Sequence, residues 1–160
     1  LQKLLHGQGY VNYEVINWGK SGDTSEELKR RLARTITDAR TGDIAIVVIG
    51  ANDAFRGEQI PVLEQNLDEI VRFLSERGMH IVIGWMEITT NYSQSYRDAF
   101  RQVYVDVASR YGADLIPFFL ESVATKPELN LPDGIHPNQT GYAVLAQYVY
   151  DELHRFWIFP

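Results

Sequence analysis

The run Ile44–Ile49, Ile-Ala-Ile-Val-Val-Ile, is apolar at every position and rich in β-branched side chains. A strand with one solvated face alternates apolar and polar residues, so a continuous run of this kind asks for helices over both faces. The sequence around it supplies helical patterns on either side. Thr24 and Glu27 form a capping-box pair ahead of Leu28, Leu32 and Ile36, predicting a helix that runs to about Gly42. Pro61 suits a helix start, and Leu63, Leu67, Ile70, Val71 and Leu74 then mark one buried stripe that ends before Gly78.

The alternation continues along the chain. His80–Gly84 reads as a strand, Phe100, Val103, Val107 and Tyr111 line a helix that stops at Gly112, and Ala113–Ile116 reads as a short strand ended by Pro117. Upstream, Leu1, Leu4 and Leu5 have one-face helical spacing before Gly7 and Gly9, and Tyr13–Asn17 reads as a further strand. A last helix is expected over about Asn138–Phe156, with Leu145, Val149 and Leu153 facing inward. This βαβα order predicts an α/β fold with a mostly parallel sheet, in which ligands bind beyond the carboxyl ends of the strands.

Bulk properties narrow the partners. With 160 residues and 45% apolar composition, the chain has the material of one domain, 1–160. A formal net charge of −6 and no block of Lys or Arg give no footprint for nucleic acid. No apolar run approaches the roughly 20 residues that span a bilayer, so no stable membrane insertion is expected. Zero cysteines exclude a disulfide scaffold, thiol catalysis and Cys-ligated zinc, while leaving the compartment open. A small-molecule partner is the expectation.

The polar residues at the predicted strand ends carry the chemistry. Asn17–Ser25, NWGKSGDTS, contains Gly-Lys-Ser, but a P-loop needs a glycine five positions earlier and Glu14 stands there, so Lys20 is expected as a solvated charge. Gly22, just ahead of a helix start, has an N–H suited to a developing oxyanion. Asn52 in IGAND offers a side-chain amide at the end of a buried strand, although Asn-Asp there is also common turn chemistry. In PDGIHPN, Asp133 precedes His136 by three residues, a spacing that lets a carboxylate accept from Nδ1 and leave Nε2 as a general base. Asp/His pairs also bind metals, but His6, His80 and His154 are not placed to join His136, and no metal site is expected.

Taken together, SGDTS, GANDAFRG, TNY, PFFLE and DGIHPN, in this order over essentially the whole chain, resemble the SGNH (GDSL-type) hydrolases, most closely the bacterial arylesterase, acyl-CoA thioesterase and lysophospholipase branch. The resemblance implies a flavodoxin-like three-layer α/β/α sandwich of strand order 2-1-3-4-5. It implies Gly22 and Asn52 as oxyanion-hole donors, Asp133 and His136 as two members of a Ser-His-Asp triad, and no cofactor. It also favours a bacterial periplasmic or secreted setting. The family's first block, Gly-Asp-Ser-Leu with the nucleophilic serine, is absent from these residues. The expectation is therefore an N-terminally truncated SGNH domain whose first strand and nucleophile are encoded before residue 1. By itself such a chain should be inactive and hold its fold poorly.

Ser21 and Ser25 are the only serines at that rim, and neither has the G-x-S-x-G setting of a nucleophile elbow. Ala54, Phe55, Arg56, Asn91 and Tyr92 follow the strands closely enough to contact substrate, and Phe118–Leu120 either wall an acyl groove or belong to the core. Two other readings remain open from the sequence. One is a non-catalytic SGNH-like module binding lipid or carbohydrate; the other is a carbohydrate O-acetyl esterase on the same machinery.

Overall fold

The computed structural model describes residues 1–88 and 91–159, and its backbone contacts gather into two compact units. One comprises residues 18–118; the other joins residues 1–17 to those from 119 onward.

In the first unit three parallel strands form a sheet in the order β1-β2-β3: β1 is Ile44–Val48, β2 His80–Gly84 and β3 Asp114–Ile116. Ile44 pairs with His80 and Val48 with Gly84, while Val82 pairs with Asp114 and Gly84 with Ile116. Apart from His80, every residue of the central strand β2 is buried. β1 is the edge: of its apolar run only Val47 is buried and the rest is half-covered, short of the two-sided cover that its composition predicts.

Among the described residues, four helices belong to this unit. The predicted capping box opens α2, Ser25–Thr35: the Thr24 hydroxyl accepts from the Glu27 N–H, and the Glu27 carboxylate accepts from the Thr24 N–H. α2 ends well before Gly42, because Thr35, Ile36 and Thr37 are consecutive β-branched residues and the Thr35 hydroxyl turns back to donate to the Arg31 carbonyl. A short helix, α3, spans Ala51–Phe55 directly after β1. Then α4, Ile60–Ser75, buries Leu63, Leu67, Ile70, Val71 and Leu74 as its stripe predicts. α5, Gln94–Tyr111, buries Phe100, Val103, Tyr104 and Val107 and stops at Gly112 in the left-handed conformation. These residues, with Ile81 and Ile83 of the sheet, make one continuous core.

The second unit packs α1, Gln2–Gly7, against α6, Gln139–Arg155, with a 3₁₀ turn at Pro127–Leu129. Leu5, Leu145, Val149, Leu153 and Phe159 are buried, and Tyr10 and Tyr13 place their rings on Phe159 at 4.9 and 5.0 Å. The predicted strand at Tyr13–Asn17 is not one. A strand needs a neighbouring backbone, and here a side chain takes that place: Gln2 donates from Nε2 to the Tyr13 carbonyl at 2.8 Å and accepts the Val15 N–H on Oε1. Val15 and Ile16 are left exposed.

Candidate functional site

The predicted oxyanion residues lie together in the first unit. Two residues after β1 ends at Val48, Gly50, with φ of +112°, turns the chain sharply into α3 and presents Asn52 beyond the strand's carboxyl end. A side chain at position 50 is excluded by sterics as well as by torsion, since a Cβ there would lie 2.1 Å from the Tyr104 hydroxyl. That hydroxyl donates to the Ile49 carbonyl at 2.8 Å, and burial pushes its pKa far up, so it stays a neutral donor. Asn52 donates one amide hydrogen to the Asp23 carbonyl at 3.0 Å, which fixes the plane of the amide and leaves the other N–H to point elsewhere.

The facing loop is equally well held. Gly22 is exposed at φ +85°, and among the described residues nothing accepts from its N–H. Its carbonyl accepts from the Arg56 guanidinium at 2.8 Å, and Arg56 also reaches Glu27 at 3.3 Å. Asp23 is buried and accepts from Arg31 Nε at 2.6 Å. Lys20 is a largely solvated charge 3.7 Å from Asp23, as expected from the Glu14 argument.

Beneath these two donors runs a polar chain that the sequence reading missed. Asp53, 2% exposed, accepts from the Ser25 N–H at 2.9 Å and from the Ser25 hydroxyl. Ser25 accepts in turn from Asn66 Nδ2 at 3.0 Å, and Asn66 Oδ1 accepts from Lys29 at 2.6 Å. The only available signal was the carboxylate of Asp53 beside Asn52. Ser25, fully buried and committed to Asp53, has no hydroxyl to offer a substrate, while Ser21 is exposed.

The predicted acid–base pair, Asp133 and His136, belongs to the second unit and is made locally. The Asp133 carboxylate accepts from the backbone N–H groups of Ile135 and His136, each at 3.0 Å, and from His136 Nδ1 at 3.0 Å. These three donors, the backbone ones foremost, hold its pKa down at about 2, so it is an anion throughout the neutral range. With Nδ1 committed, the imidazole presents Nε2, for which no protein partner exists among the described residues. The loop is stitched at its base: Leu131 N–H donates to the His136 carbonyl at 2.7 Å, Asn130 and Pro137 form an antiparallel bridge, and buried Asn130 donates to the Val123 and Lys126 carbonyls. Asn138 caps α6 by accepting from the Gly141 N–H.

The remaining predicted contact residues divide. Phe55 is 52% exposed and Asn91 is exposed. Tyr92 stacks on Tyr96 at 5.2 Å and donates to the Ala54 carbonyl at 2.9 Å. Ala54 itself is 1% exposed and packs in the core, so its methyl walls no open groove. Phe118 and Phe119 are both half-buried. Thr90 of the TNY block, with Thr89, lies outside the described residues. No cluster of three metal-ligating side chains occurs among the described residues: His80 pairs with Asp114 at 2.7 Å, and His6 and His154 bond within their own unit.

Comparison with known proteins gives this chemistry a family. Residues 1–144 match the family model described as GDSL-like lipase/acylhydrolase. The chain is 35% identical over 150 residues to an arylesterase of Vibrio mimicus, covering 94% of this chain and 73% of that protein. It is 30% identical over 150 residues to the thioesterase 1/protease 1/lysophospholipase L1 of Escherichia coli K12, covering 94% and 72%. Among solved structures, the crystal structure of TesA superposes with a TM-score of 0.86 at 32% identity, over 95% of this chain and 83% of that one. The solved neighbours are SGNH hydrolases of α/β/α architecture, and the relatives are named as ester and thioester hydrolases. The chain belongs to the GDSL-like lipase/acylhydrolase family.

Proposed function

We propose that the protein is a serine-type hydrolase of carboxylic esters or thioesters, with arylesters, acyl thioesters and lysophospholipids as the substrate classes. The observation that carries the reading is the Asp133–His136 pair: a permanent anion on Nδ1 with Nε2 open is the arrangement of a general base. The unpaired Gly22 N–H beside an oriented Asn52 amide supports it, since a module that only binds has no use for both sets.

In this reading the serine is that of the family's Gly-Asp-Ser-Leu block, which these 160 residues do not contain. Its oxygen attacks the acyl carbonyl while His136 Nε2 takes the proton. His136 then returns that proton to the departing alkoxide or thiolate, and an acyl-enzyme remains. Water hydrolyses it by the same steps, with His136 again as base. The Gly22 N–H, the Asn52 amide and the serine's own N–H hold the oxyanion, each donor contributing about 2.7–4 kcal/mol. Residues 1–160 form part of one hydrolase domain, Phe55, Arg56, Asn91 and Tyr92 face the acyl or leaving group, and no metal takes part.

The test uses the protein with and without the Gly-Asp-Ser-Leu block, assayed on p-nitrophenyl esters of increasing chain length, acyl-CoA thioesters and lysophospholipid. Turnover only with the block present, and fluorophosphonate labelling of its serine, are the expected results. Stoichiometric labelling of Ser21 in the 160-residue chain overturns the assignment.

A further inference from the structure

The two oxyanion donors are carried by different segments, thirty positions apart in the chain, and a stable geometry between them needs a device. Two residues of α3 and the residue that follows it reach the Gly22–Ser25 segment. Asn52 donates to the Asp23 carbonyl at 3.0 Å, Asp53 accepts from Ser25 N–H and hydroxyl, and Arg56 donates to the Gly22 carbonyl at 2.8 Å. Asn52 and Arg56 are at least partly open to solvent, whereas Asp53 is 2% and Ser25 0% exposed.

A buried carboxylate is costly unless it is fully hydrogen-bonded or balanced by charge. Here the hydrogen-bonding condition is met by one directional chain, whose Lys29 end is itself paired with Glu26 at 2.8 Å and Glu69 at 3.6 Å. Lys29 donates to Asn66, Asn66 donates to Ser25, and Ser25 donates to Asp53. Every donor points from the ammonium toward the carboxylate, so the groups polarise one another and the Ser25 hydroxyl cannot rotate without breaking two bonds. Asp53 also receives the N–H at the first residue of α2, a backbone donor with no partner inside the helix. The carboxylate therefore locks the start of α2, and the loop that precedes it, onto the helix that carries Asn52.

We propose that Asp53, acting through Ser25, is a positioning residue that sets the Asn52 amide against the Gly22 N–H. It touches no reacting atom. The proposal rests on the serine-hydrolase reading above. It separates from an ordinary fold anchor in what it does to turnover: a lost lock widens the oxyanion pair and lowers kcat, with substrate binding kept.

The experiment is a double-mutant cycle in the protein carrying its nucleophilic serine, with p-nitrophenyl acetate as substrate. Asp53→Asn and Ser25→Ala are each made alone and on Asn52→Ala. Support is a fall in kcat of about tenfold or more with KM within about threefold, shrinking to under about threefold once Asn52 is already alanine. An equal loss in both backgrounds, a change in KM alone, or unchanged kcat overturns the proposal. If Asp53→Asn does not fold, Ser25→Ala, which keeps the backbone N–H to Asp53, decides the cycle alone. The parent reading fails differently: unchanged turnover in Asn52→Ala by itself removes the oxyanion assignment and this coupling with it. A large Asn52→Ala effect with additive Asp53 loss removes only the coupling.

Discussion

The Gly22–Asn52 region and the Asp133–His136 loop hold their candidate functional groups by opposite means. The first is assembled from segments 28 and 41 residues apart, through the buried links Ser25–Asp53 and Ser25–Asn66. The second is written within four consecutive residues, with Asp133 satisfying its neighbours and His136 59% exposed at the side chain. Charge placement in the first depends on tertiary packing; in the second it depends on a turn. Chemistry and stability are therefore coupled in one region and nearly separate in the other.

The largest effect that sharpens this contrast is His136→Ala in the protein with its serine. We expect ester turnover to fall about 10⁴-fold or more, with little change in the thermal unfolding midpoint, since the imidazole is 59% exposed and its side-chain bond to Asp133 lies at the surface. Near-normal turnover breaks its role as base. Next, Asn52→Ala should lower kcat by about 10²–10³ with KM little altered; a change confined to KM breaks the oxyanion role. Third is stability: Asp53→Ala removes buried hydrogen bonds and should reduce the free energy of urea unfolding by about 1–3 kcal/mol. Asp133→Ala, in the exposed turn, should lower the urea midpoint by less than Asp53→Ala does, since its hydrogen bonds face solvent, and equal losses would erase the distinction between the regions.

The smallest effect is a titration. The Asp133 carboxyl carbon, followed by NMR, should give a midpoint of about 2 rather than the ordinary 3.8. Because the folded value lies below the unfolded one, the turn's hydrogen bonds contribute fully above the ordinary carboxylate range and are lost as pH falls through about 2. A midpoint near 3.8 would show that the turn is not held as described.

How far these features could be read from the sequence follows the same division. Thr24 with Glu27, Pro61 and Gly112 are local signals, and each marks a helix end where it was expected. The Asp133–His136 spacing is local too. Tyr13–Asn17 had a strand's composition, but pairing is decided by a neighbour, and Gln2 occupied its backbone groups instead. Ala54 looked like a rim residue because it is two positions from Asn52. In a helix residues two apart face roughly opposite sides, and α3 turns Ala54 into the core. Asp53, Ser25, Asn66 and Asn130 were invisible as a group, since each finds its partner through the fold and not through spacing.

The junction at Gly50 also bears on how such a chain can vary. Trimming Tyr104 would remove the closest clash at position 50, yet Leu63 Cδ1 would remain 3.3 Å from a Cβ and the torsion of +112° would still exclude an ordinary side chain. Two independent barriers guard one residue, and no single compensating replacement lowers both. The turn that presents Asn52 is thus closed to stepwise drift, however freely the solvent-facing helices around it change.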